Sequence, residues 1–402
     1  MAFRSGRHFL QIPGPTNVPD RVLRAIDSPT IDHRGPAFAE LAREIFRGLK
    51  RVFRTEGDVV VFPSSGTGAW EAALVNTLSP GDKVLMFETG HFAVQWQRVA
   101  RALGLDVELV PGDWCSGADP DALEARLRGD TACAIKAVAV VHNETSTGVT
   151  SRIPELRQAM DHAGHPALLF VDTISSLASI DYRHDEWGVD VSIAGSQKGL
   201  MLPPGLGFNA VSAKARAAAR TARLPKAYWR WEDMIESNRS GYFPYTPATN
   251  LLYGLREALR MLEEEGLENV FARHARLAEA TRRAVRAWGL EIVCRDPREY
   301  SNTLTAVLMP EGYDADALRR LILERFDMSL GTGLGRLQGR AFRIGHLGDF
   351  NELMLAGTLA GIEMGLAAAG VPHRRGGVME ALDYLAGVEA HGTAAPARQL
   401  HA

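Results

Sequence analysis

Cysteine is scarce. The 402 residues contain 3, Cys115, Cys133 and Cys294, scattered along the chain. They form neither a disulfide framework nor a paired metal spacing, and a reducing cytoplasm suits them. Long apolar runs are also missing. No stretch approaches the length of a membrane span, and no continuous apolar segment marks a secretory leader at the N-terminus. No long basic run occurs either. With 45 Lys+Arg against 48 Asp+Glu the net charge is −3, so nothing points to nucleic acid or an acidic membrane as partner. Metal is set aside as well. His142-x-Glu144 is not followed by Pro-Cys-x-x-Cys, and no His-Glu-x-x-His occurs.

What is present is an ordinary globular composition, 46% hydrophobic and 23% charged, in a chain long enough for one large and one smaller domain. Residues 1–20 read as an extended arm, because Phe9-Leu-Gln-Ile12 runs into Pro13-Gly-Pro-Thr-Asn-Val-Pro19. The arm is expected to cross a crevice or a neighbouring subunit. Ala37–Val52 has helical spacing (Leu41, Ile45, Leu49, Val52). Short apolar runs then recur at 58–62, 83–88, 106–111, 135–141, 168–171, 191–194 and 206–211, most of them followed by helical stretches. That alternation predicts an α/β fold with about seven, mostly parallel, strands. The segment 227–247 is rich in aromatics (Tyr228, Trp229, Trp231, Tyr242, Phe243, Tyr245) and reads as an interface or pocket wall. Helices are expected over 251–264, 276–288, 315–326 and 352–369, and strands over 303–308 and 341–346. Gly331-Thr-Gly-Leu-Gly335 reads as a flexible loop, with no strand before it. The expected division is a large domain over 21–265, a small α+β domain over 266–375 and a loosely held tail over 376–402.

The chemistry gathers around two strand ends. Leu168–Val171 leads to Asp172, and Val191–Ala194 leads to Gly195-Ser-Gln-Lys198-Gly. Ligands of parallel α/β sheets sit beyond the carboxyl ends of the strands, so a carboxylate and a lysine would face one crevice. A lysine amine condenses with a carbonyl, and a carboxylate keeps a pyridine nitrogen protonated, which are the two needs of pyridoxal phosphate. Taken singly, each residue is as well explained as a solvated lysine or a capping aspartate. A third feature joins them: the strand at 58–62 runs into Pro63-Ser-Ser65-Gly66-Thr67-Gly68-Ala69, and a helix is expected from Trp70. Strand, glycine loop and helix can put a phosphate on free backbone N–H groups, although such a loop can equally be a plain turn. It is neither a Walker sequence nor G-x-G-x-x-G. Phe92 follows the strand at 83–88 and is a candidate to stack on a cofactor ring, and Thr145 can meet a phenolic oxygen.

Ser65-Gly-Thr-Gly-Ala69, His142-Asn-Glu-Thr-Ser-Thr-Gly148, Val171-Asp172, Gly195-Ser-Gln-Lys-Gly199, Tyr245-Thr-Pro247, Gly266–His274 and Phe342-Arg-Ile-Gly-His-Leu-Gly348, in that order of kind, resemble the class V aminotransferases, and among them the serine–glyoxylate enzymes. The likeness runs from about Phe9 to Gly370. It implies a fold-type I pyridoxal-phosphate transferase in which an amino acid, serine by preference, gives its amino group to glyoxylate. Lys198 would hold the cofactor as a Schiff base and shuttle the proton, and Asp172 would pair the pyridine nitrogen. Phe92 and Ile174 would pack the two ring faces and Thr145 would meet the phenolic oxygen. Thr67, Gly68, Ala69 and Gln197, beside Ser65 and Gly66, would cradle the phosphate, with Thr246 supplied by a partner subunit. Arg343 would clamp the substrate carboxylate. The shared site implies a homo-oligomer, at least a dimer. Phe243 departs from the tyrosine of some alanine-using relatives and lacks its phosphate-binding hydroxyl; Phe92 stands where some relatives carry tryptophan.

Rival readings are other amino donors (alanine, or aspartate with Arg34 as a second cation), a cysteine desulfurase or kynurenine-cleaving enzyme, and a module that only sequesters the cofactor. None of the three cysteines lies in a loop motif suited to a nucleophile, which weighs against desulfuration.

Overall fold

Alternation of side chains along a strand puts successive residues on opposite faces of a sheet. Val60 and Phe62 therefore belong to one hydrophobic cluster and Val59 and Val61 to another; Val84 and Met86 part from Leu85 and Phe87 in the same way. The computed structural model, which describes residues 5–388, shows the result: one sheet with helices on both faces. Its strand order is Asp58–Ser64, Gly205–Val211, Val191–Gly195, Leu168–Asp172, Ile135–Val141, Lys83–Phe87, Asp106–Val110. Only Gly205–Val211 runs antiparallel to its neighbours. All seven runs read from the sequence lie in this 7-stranded sheet.

A second, 5-stranded sheet has the order Phe9–Gln11, Met328–Thr332, Ala341–Gly345, Leu304–Leu308, Glu291–Ile292. Its apolar face packs with helices Leu267–Trp288, Ala315–Phe326 and Glu352–Ala368 around Trp288, Phe342 and Ile344. Each fully buried large side chain of this kind contributes about 1.5–3 kcal/mol. Helix Thr249–Glu265 meets helix Leu267–Trp288 at Gly266, whose φ of +81° suits glycine.

Several local expectations change. The first helix after the glycine loop starts at Gly66, not Trp70, so the loop glycines form its first turn. The helix expected from Arg276 begins at Leu267. Gly331 is not in a free loop: Met328–Thr332 is a strand, paired in parallel with the arm at Phe9–Gln11 and antiparallel with Ala341–Gly345. One partner, the arm, is more than 300 residues away in sequence, and the five residues Met-Ser-Leu-Gly-Thr alternate too weakly to announce a strand alone. The aromatic segment contains a helix, Trp231–Arg239, with Trp231, Met234 and Ile235 buried at helical spacing. The expected tail also contains one, Gly377–Leu385, and Ala381 is fully buried. Glu363 supplies its missing cap, accepting from Gly376 N at 2.8 Å, Val378 N at 3.1 Å and Trp288 Nε1 at 2.8 Å. The rest of that tail, 389–402, lies outside the described residues. No described helix is long and apolar enough to cross a membrane.

Candidate active site

Asp172 ends its strand, and Lys198 follows the next strand, where the loop is pinned from several sides. Ser196 Oγ donates to Pro203 O at 2.7 Å, Met201 N to Lys198 O at 2.9 Å and Thr16 N to Gln197 O at 3.1 Å. The arm thus lies against the Lys198 loop. Lys198 Nζ donates to Pro13 O. Gly14, with φ +94°, lies flat against that side chain, and a Cβ there would come within 2.6 Å of Lys198 Cε. Only glycine fits this approach.

Burial sets the electrostatics. The Lys198 pKa is lowered to about 7, chiefly by burial and in part by the Arg343 cation, while Asp172 opposes the shift. A sizeable share of neutral amine therefore exists near neutral pH. Burial raises Asp172 to about 7, with the Glu144 carboxylate adding to the rise, while Ile174 N–H, Trp70 Nε1–H and the Lys198 charge counter it. Ile174 N donates to Asp172 Oδ1 at 2.7 Å and Trp70 Nε1 to Oδ2 at 3.0 Å. Trp70 stacks on Trp96, ring centroids 5.7 Å apart. Arg343 reaches in from the smaller sheet. Its Nε donates to Thr332 O and its Nη1 to Thr145 O, both at 2.7 Å. Burial lowers its pKa to about 10, which leaves it a cation at neutral pH.

The helix N-terminus at Gly66 offers donors. Ser65 Oγ accepts from Gly68 N at 3.4 Å and Ser65 O from Ala69 N at 3.2 Å. Of the leading amides, those of Gly66 and Thr67 are left for an external acceptor. Ser65 and Thr67 are exposed. Gly66 is backed by Ile174, since a Cβ on it would meet Ile174 Cγ1 at 2.9 Å. Gln197 Oε1 is buried without a hydrogen-bond partner. Phe92 is half-buried in the first turn of helix His91–Ala102.

Two expected residues are not gathered here. Arg34 is exposed in a turn, and Thr246 is exposed. Among the described residues no hydrogen bond or ion pair joins either to Lys198, Asp172 or Arg343. Phe243 packs its ring between Phe38 and Phe46, each centroid 5.9 Å away. No described group of His, Cys, Asp and Glu could hold a metal. Burial raises the Cys115 thiol and lifts Cys294 to about 12, a poor setting for a nucleophile.

The sequence reading missed Trp70 and Glu144. A buried indole N–H needs an acceptor, which was one signal. The other was a helix at His91 with only Gly90 before it and no capping side chain of its own.

The Aminotransferase class-V family model matches residues 8–334. The chain belongs to the class V aminotransferases. It is 53% identical to a serine–glyoxylate aminotransferase of Methylorubrum extorquens, over 95% of this chain and 97% of that one. It is 47% identical to an L-aspartate–glyoxylate aminotransferase of Paracoccus denitrificans, over 91% and 92%. Among solved structures, a pyridoxamine–pyruvate aminotransferase of Mesorhizobium loti superposes with a TM-score of 0.88 at 28% identity, covering 96% of this chain and 98% of that one. Class V aminotransferase membership and the α/β sheet agree with the fold read from the sequence.

Proposed function

We propose that this aminotransferase uses pyridoxal phosphate to move the amino group of serine to glyoxylate, giving hydroxypyruvate and glycine. The observation that carries the reading is the buried trio: a partly neutral Lys198 amine, Asp172 beside it and the Arg343 cation from the other sheet. The serine-using relative at 53% identity supports the donor and acceptor.

The residues fit the cofactor. The two free amides at Gly66 and Thr67 and the Thr67 hydroxyl suit a phosphate, and the side-chain NH2 of Gln197 is a further donor for it. Ser65, Gly68 and Ala69 shape the same turn. Asp172 is a buried carboxyl that a cation would hold ionised, so as a carboxylate it suits a protonated ring nitrogen, and Phe92 and Ile174 are available for the ring faces. When bound, pyridoxal phosphate supplies an aldehyde for an amine and a ring that accepts electrons. Lys198 Nζ then takes the α-proton of the amino acid and returns it. Arg343 binds the carboxylate of each substrate in turn, so kinetics are ping-pong. Thr145 holds Arg343 through its carbonyl and keeps its hydroxyl for the cofactor's phenolic oxygen.

Thr246 and Arg34 act in this reading only through a second copy of the chain, as a homo-oligomer with a shared site. We also assign a cytoplasmic location and a large domain over 21–265 with a small one over 266–375. The aspartate-using relative keeps a second donor in view, with Arg34 as the extra cation. A donor screen with glyoxylate as acceptor tests the proposal. Dominant conversion of serine to hydroxypyruvate supports it. A dominant aspartate rate moves the assignment to the second donor. No glycine from any donor, with the cofactor's visible absorbance present, overturns the acceptor.

A further inference from the structure

The turn Glu144–Ser146 holds the whole start of the helix that carries Phe92. His91 N donates to Ser146 Oγ at 2.9 Å, Phe92 N to Glu144 Oε1 at 3.3 Å and Ala93 N to Glu144 Oε2 at 3.1 Å. Ser146 fixes the carboxylate in return, donating to Oε1 from its hydroxyl at 2.6 Å and its N–H at 3.0 Å. Gly90 allows the close approach, since a Cβ there would lie 2.6 Å from Glu144 Cδ. Glu144 is completely buried. Among the described residues it makes no direct ion pair; its charge is met by N–H and O–H donors, the positive end of the helix and, at longer range, the Arg343 cation. The next residue in the turn, Thr145, holds Arg343 through its carbonyl at 2.7 Å.

We propose that Glu144 is a positioning residue for the cofactor: its carboxylate ties the helix turn bearing Phe92 to the turn bearing Thr145, and so holds Phe92 at the ring. This rests on the pyridoxal-phosphate reading above. A helix cap elsewhere in the fold stabilises the chain only. This one also fixes the relative place of two cofactor-facing groups. A neutral amide at 144 has one acceptor oxygen for donors that now use two, and its NH2 would face a backbone N–H.

The test is a double-mutant cycle on the full chain, with wild type, Glu144→Gln, Phe92→Ala and the double variant. The readouts are the dissociation constant for pyridoxal phosphate and the visible circular dichroism per bound cofactor, which reports how firmly the ring is held. Glu144→Gln should weaken binding roughly tenfold to a hundredfold and reduce the dichroism. The double variant should be scarcely worse than the weaker-binding single one, because both act through the same ring contact. Asp119→Ala, which removes the cap of helix Pro120–Gly129, should lower thermal stability and change neither readout. Wild-type affinity and dichroism in Glu144→Gln, or additive losses in the double variant, overturn the proposal. If Glu144→Gln does not fold, Ser146→Ala keeps the charge but loosens it; a several-fold weaker affinity supports the proposal and unchanged binding refutes it. A wild-type chain that binds no pyridoxal phosphate is a separate failure, of the cofactor reading itself, and removes this proposal with it.

Discussion

Replacing Asp172 by asparagine should stabilise the cofactor-free chain at alkaline pH while destroying its activity. Burial raises this carboxyl from 3.8 to about 7. The sign follows from linkage. Below pH 3.8 the group is protonated folded and unfolded, and costs nothing. As pH rises from there towards about 7 the unfolded chain ionises first, so stability is lost with rising pH; above about 7 the loss is complete. The full cost is about 4 kcal/mol. Asparagine never pays it, but it cannot accept from both Ile174 N and Trp70 Nε1, and that mismatch costs about 1–3 kcal/mol at any pH. The difference between variant and wild type should therefore move by about 2–3 kcal/mol in the variant's favour between about pH 5 and about pH 8. Urea unfolding of both cofactor-free proteins across that range measures it. A difference independent of pH would refute the claim that Asp172 is held in a desolvated site. With Asp172 paired to the ring nitrogen as proposed, turnover of the same variant in the holoenzyme should fall by orders of magnitude.

Lys198→Ala should lose several orders of magnitude in single-turnover rate while its far-ultraviolet spectrum stays that of the wild type; turnover near normal would remove Lys198 from its role. Arg343→Lys should raise KM for both glyoxylate and the donor far more than it lowers kcat, because a point charge does not reproduce a planar fork that already spans Thr332 O and Thr145 O. Glu363→Ala should free helix Gly377–Leu385, at a cost of about 1–2 kcal/mol, seen as faster amide exchange in that helix with kcat unchanged. Exchange as slow as in the wild type would show that packing on helix Leu267–Trp288 suffices without the cap.

The strands of the large sheet were legible because the inner ones are short apolar runs buried on both faces, and such runs stand out in any sequence; the edge strand Asp106–Val110 is only partly buried. Their order was not, since order depends on which run pairs with which. The lysine and the aspartate could be placed at strand ends for the same reason, and the glycine loop at a helix start. The elements missed share one property: they are fixed by partners outside their own segment. Met328–Thr332 is a strand because the arm at Phe9–Gln11 and the strand at Ala341–Gly345 flank it. Helix Gly377–Leu385 begins where it does because Glu363 caps it.

The candidate site divides along the same line. Residue type and local pattern determined that a carboxylate, a lysine and a phosphate-sized turn would sit at the ends of buried strands. Tertiary structure alone decided their chemistry. Lys198 and Asp172 are shifted towards neutrality because the arm, the second sheet and Arg343 close over them and exclude water. Glu144, which the sequence shows only as part of a motif with no role of its own, acts because a helix start without its own cap was brought onto it. Desolvation and remote hydrogen bonds are properties of what surrounds a residue, and the surroundings exist only once the chain has folded.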